Sequence, residues 1–170
     1  MGRTAGPSSR AGAGKPRPYP YGGPPHQGDY KRATGSLAGR LAKDTSPGRT
    51  GTAYADAKVT IYLKDGDSRR SLVFVGMAAD DVPESATELR SRSPSEAVDA
   101  TFMGMGITDT SDFPAGSLGG ILRCGRTPTG GGAPCTWADG SVLGMALTPL
   151  SSDVVSLGAT TLALRNAAEH

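Results

Sequence analysis

Histidine is almost missing from this chain. Its two copies, His26 and His170, lie outside the stretch expected to fold, an expectation that leaves no histidine for the usual histidine-based triads. Cysteine is as scarce. Cys124 and Cys135 are the only two, too few for a structural zinc site and not in the Cys-x-x-Cys spacing of a redox pair. Aromatic residues make up 5% and hydrophobic residues 36% of 170 positions, so only a modest core can form. No run approaches the roughly 20 apolar residues of a transmembrane helix. Arg3 and Arg10 are followed by no apolar stretch of the kind a signal peptide carries.

Glycine, proline and charge are plentiful, and they are unevenly spread. Residues 1–50 hold nine Lys/Arg against two Asp/Glu, and the rest hold nine against fourteen. The net charge of +2 is therefore the sum of a basic half and an acidic half. Pro7, Pro16, Pro18, Pro20, Pro24 and Pro25 interrupt the basic half, where apolar residues are too sparse to offset ordering entropy. Residues 1–52 read as a disordered basic tail and 53–168 as one α+β domain.

Within the domain, Lys58–Leu63 alternates, with Val59, Ile61 and Leu63 on one face and Thr60 and Tyr62 on the other. That is the period of a half-buried strand. Asp65-Gly66 supplies a turn, and Leu72–Val75 is apolar on both faces, as in a central strand. Ser93-Pro94-Ser95-Glu96 reads as a capping box opening a helix through Val98, Phe102 and Met105. Asp81–Glu84 is a weaker start, fit for a short helical turn. Thr108–Ser117 reads as a loop. Three strands are expected at 119–125, 133–138 and 141–147, the last two joined by a tight turn on Asp139-Gly140. A final helix capped by Ser151 or Ser152 runs through Leu157 and Leu164, with Gly158 an unfavourable interior residue. The expected order is β-β-α-β-β-β-α. It implies an antiparallel sheet of about five strands with helices on one face.

The hairpin would bring Cys124 beside Cys135. A disulfide is the favoured reading, with paired but reduced thiols the alternative. The bond would contribute about 3 kcal/mol by closing a short loop, and it belongs to oxidising compartments. Trp137, two residues beyond Cys135, projects to the same face and should pack on the sulfur pair.

Gly119-Gly120, Arg123-Cys124-Gly125, Cys135-Thr136-Trp137-Ala138-Asp139 and Gly144 resemble the C-terminal signature of uncharacterised actinobacterial membrane-anchored proteins. The pattern is GG-x-x-x-CG, a short loop, then C-x-WAD and a glycine. The resemblance spans roughly residues 53–168 and is specific over 119–144. It implies a domain outside the membrane behind a Pro/Gly/Tyr-rich cytoplasmic tail, which Pro18–Pro25 resembles. The chain departs from that pattern in having no membrane helix between tail and domain. The family carries no established activity.

Trp137, Asp139 and Tyr62 are the candidates for ligand contact, each with a plainer role as core, turn or strand-edge residue; Tyr54 is a weaker candidate of the same kind. Thr129–Gly132 lacks the lysine of a phosphate loop and reads as a hairpin tip. Asp109–Asp112 lacks calcium-loop spacing and reads as an Asx-turn. No catalytic residue, metal or cofactor is assigned. The expected function is a non-catalytic extracytoplasmic-type sensor or interaction domain, its partner a cell-envelope protein or a small ligand. The alternatives are a small carboxylate-dependent hydrolase and a weak binder of nucleic acid or anionic membrane through Lys15, Arg17, Lys31 and Arg32. Nucleic acid is the lesser expectation, and membrane attachment would need a further segment upstream.

Overall fold

The computed structural model of the protein describes residues 23–44 and 57–169. In chain order the elements are β1 (His26–Gln27), β2 (Tyr30–Arg32), α1 (Gly35–Asp44), β3 (Lys58–Lys64), β4 (Asp67–Ala78), α2 (Pro83–Ser91), α3 (Pro94–Gly104), β5 (Thr110–Phe113), β6 (Ile121–Gly125), β7 (Ala133–Ala138), β8 (Val142–Thr148) and α4 (Val154–Glu169). The strands form one antiparallel sheet in the order β1-β2-β3-β4-β8-β7-β6-β5.

The α+β class and the antiparallel pairing follow the expectation. The sheet has eight strands rather than about five, and its helices are not confined to one face. The reason is legible in β4, whose run Leu72–Ala78 is buried almost throughout. A strand apolar on both sides needs cover on both sides. Tyr62, Phe74, Leu122, Cys135 and Trp137 share one apolar layer with Leu157 and Leu164 of α4. Val73, Val75 and Leu143 share the other with Leu89 of α2 and Val98 and Phe102 of α3. Thr60 and Tyr62, expected on a half-solvated face, are therefore buried as well.

Local signals settle the element ends. The β3–β4 hairpin turns on Asp65 (φ 54°) and Gly66 (φ 75°), both left-handed as a I′ turn requires. The capping box of α3 is complete: Glu96 N–H donates to Ser93 Oγ, and Ser93 N–H donates to Glu96 Oε2 at 2.8 Å. The Ser93 hydroxyl and then the Ser93 N–H, both donating to Glu96 Oε2, hold the Glu96 carboxyl below the usual range. The weaker start at Asp81–Glu84 opens a full nine-residue helix, α2.

Three other expectations need correction. The tight turn of the β7–β8 hairpin is centred on Gly140-Ser141, because Asp139 N–H donates to Val142 O across it and Gly140 takes φ 90°. Helix α4 is capped by Asp153, whose Oδ1 accepts from Ser156 N–H at 3.1 Å, not by Ser151 or Ser152. The stretch read as a loop with an Asx-turn contains β5, which pairs in register with β6. Its polar sequence Thr-Ser-Asp hid an edge strand, where half the side chains face water.

Residues 23–44 depart furthest from the sequence reading. Expected to lie in a disordered tail, they form β1, β2 and α1 and wrap the outer edge of β3. The hold is mostly backbone, which a count of apolar residues does not register. The remainder of the expected tail lies outside the described residues.

Candidate functional site

The cysteine-bearing hairpin is the centre of the candidate site. Cys124 on β6 and Cys135 on β7 are direct partners in the register and are joined by a disulfide, their Cα atoms 4.0 Å apart. Both are buried. Trp137 lies two residues further on β7, in the same apolar layer and fully buried, with Phe74 its ring neighbour at 5.8 Å between centroids.

Two glycines of the motif sit where a side chain would collide. A Cβ on Gly144, opposite Trp137 on β8, would fall on the indole ring. A Cβ on Gly120 would overlap the Ala138 carbonyl, and Gly120 also has φ 77°. At Gly144 the indole is seated where only glycine leaves room.

A buried indole N–H needs an acceptor. Trp137 Nε1 donates to Glu169 Oε1 at 2.8 Å, near the end of α4. Arg165, one turn earlier, has a side chain with no exposure. Its Nε–H donates to both oxygens of Glu169 at 3.3 Å. One terminal nitrogen donates to the carbonyls of Ala115 (3.0 Å) and Gly119 (2.8 Å), and the other to Asp139 Oδ2 at 3.3 Å. The second oxygen of Asp139 accepts from the N–H groups of Ser141 and Val142 and from the Ser141 hydroxyl, each at 2.9 Å. A buried cation is tolerable only with such pairing. The network ties the turn after β7, the loop before β6 and the end of α4 together.

Each nominated residue can now be placed. Asp139 is a turn residue that also meets Arg165. Trp137 is core. Tyr62, half the sheet away, is buried with its hydroxyl donating to Pro24 O at 2.9 Å. Burial pushes its phenol up to about 12, against a smaller opposing pull from Arg32. Tyr54 lies outside the described residues.

Arg165 and Glu169 went unnoticed in the sequence. Their signal was an arginine among Leu157, Thr161, Leu164 and Ala168, all buried positions of α4. A charge on that stripe has to find a partner.

A second guanidinium organises the sheet's far edge. Arg123 on β6 bridges Asp112 on β5, at 2.6 Å, and Asp99 on α3. Hydrogen bonding to Arg123 holds the Asp112 carboxyl below its ordinary value. A general acid near neutral pH needs the opposite shift.

Among the described residues there is no group of three His, Cys, Asp or Glu placed to hold a metal ion, and no helix long and apolar enough to cross a membrane. No family model, curated protein or solved structure matches this chain.

Proposed function

We propose that this domain is a non-catalytic, extracytoplasmic-type sensor or interaction module. One observation carries the reading. Asp139, the acid of the motif, and Glu169, which meets its tryptophan, both converge on the buried Arg165 rather than on each other. Both carboxylates are engaged by one buried guanidinium, an ion-paired arrangement that suits a scaffold and not a proton-transferring pair. The disulfide supports the compartment, since such bonds persist where the surroundings are oxidising. The likeness of the motif to membrane-anchored actinobacterial proteins points the same way.

The test compares the intact protein with Asp139→Asn on a panel of chromogenic ester, phosphoester and glycoside substrates. The expected result is no turnover by either, with lower stability in the variant. Turnover by the intact protein that disappears in a still-folded Asp139→Asn variant would overturn the reading in favour of the hydrolase.

A further inference from the structure

Strand β3 would be the outer edge of the sheet if residues 23–44 were removed. An uncovered edge presents unpaired N–H and C=O groups, and here the chain covers its own. Tyr30, Lys31 and Arg32 pair with Lys64, Leu63 and Tyr62. Ala33 N–H donates to Ile61 O at 2.8 Å, and Lys64 reaches Asp29 at 3.0 Å. On one face of the sheet, the Tyr62 hydroxyl holds the Pro24 carbonyl. On the other, Leu41 of α1 packs against the second apolar layer.

The character of this grip matters more than its extent. Among residues 23–43 only Gly23 is buried. A Cβ on Gly23 would collide with the Tyr62 hydroxyl, and its φ of 77° already favours glycine. Segment 23–32 is thus held by a short backbone ladder, one ion pair, a phenol on the carbonyl of a Gly-Pro-Pro stretch, and the partly buried Tyr30 packed against the first apolar layer. Those are the means by which domains bind separate peptides, through strand addition and through aromatic donors to proline-rich backbone.

We propose that the β3 edge with Tyr62 is an intermolecular recognition site whose partner is segment 23–32 of a second copy of this chain. The ladder, the Lys64–Asp29 pair and the Tyr62–Pro24 bond are indifferent to which copy supplies the segment. The exchanged and self-filled forms therefore share these contacts, and raising the chain concentration favours exchange. Reciprocal exchange closes on itself as a two-fold pair. This deepens the reading of the domain as an interaction module by naming a partner. Its readout is binding, so it and the turnover test above can fail separately.

The experiment uses the full chain carrying Gly23→Val, which expels the self-segment from Tyr62, and a fluorescent peptide of residues 23–32 with its native glycine. The peptide should bind this variant at least tenfold more tightly than it binds the unaltered chain, and adding Tyr62→Phe should reverse most of that gain. Ala33→Pro, which removes the N–H that donates to Ile61 O, serves as the releasing variant should Gly23→Val not fold. Unaltered light and heavy-isotope chains mixed at rising concentration should give mixed dimers in native mass spectrometry. Equal peptide binding with and without release of the self-segment would overturn the proposal, as would no binding once hydrogen exchange shows β2 freed. β2 amides that stay protected in the releasing variants would also overturn it. Chains that remain monomeric at every concentration would overturn the second copy as partner.

Discussion

The two ends of this one sheet are held by different chemistry. At the β5–β8 end, a disulfide, a buried indole and the Arg165 network lock side chains that are 0–1% exposed in the case of Cys124, Cys135, Trp137 and Arg165. At the β1–β3 end, the hold is a main-chain ladder, an ion pair, one phenol and the partly buried Tyr30 and Leu41 at the margins of the two apolar layers. Side-chain locks in a low-dielectric interior are costly to break. A ladder at an exposed edge can open locally without unfolding the rest. The contrast separates a part that sets global stability from a part suited to exchange.

The largest expected effect comes from Arg165→Met. Leaving Glu169 and Asp139 without their shared cation should cost about 3–5 kcal/mol, read as a lower urea midpoint. A loss below about 1 kcal/mol would show that the network does not hold this end. Next, Cys124→Ala/Cys135→Ala should cost about 2–4 kcal/mol and lower the same midpoint while leaving β2 protection unchanged. If β2 amides are freed in proportion, the two ends are one cooperative unit and the contrast fails.

Ser93→Ala should cost about 0.5–2 kcal/mol through loss of the α3 cap. An unchanged midpoint with an unchanged slope would remove the cap from the account. The smallest global effect belongs to Tyr62→Phe, about 0.5–1.5 kcal/mol. Its main readout should be faster hydrogen exchange in residues 24–32.

The pH dependence of Tyr62 sharpens the same contrast. Its phenol is raised from 10.0 to about 12, so the fold favours the neutral form. That contribution is intact below pH 10 and is lost as pH rises through about 12, since the unfolded chain gives up the proton first. Tyr62 should give a late step in a 295 nm absorbance titration. Tyr62→Phe should abolish that late step. Persistence of the late step in the variant would assign it to another tyrosine.

Periodicity, caps and turn residues made much of the domain legible. The β3–β4 hairpin, the capping box of α3, the three strands β6–β8 and the cysteine pairing all follow from short-range rules. These depend on neighbours a few residues apart, and sequence records those directly. Other features were disguised by composition. Strand β5 looked like a loop because an edge strand tolerates Thr-Ser-Asp. Gly158 looked like a weakness in α4, yet the Phe113 ring occupies the space where its Cβ would lie.

By itself the sequence determined the α+β class, the antiparallel pairing, the lone disulfide and the burial of Trp137, because each needs only a local pattern or a pair of residues brought together by one hairpin. Tertiary structure alone decided that helices cover both faces, that Arg165 joins Asp139 to Glu169, and that residues 23–44 clamp β3. Those outcomes rest on contacts between segments tens of residues apart, Tyr62 with Pro24 and Trp137 with Glu169 among them. Whether such segments meet depends on how the whole chain closes around its buried surface, and no short stretch of sequence carries that information.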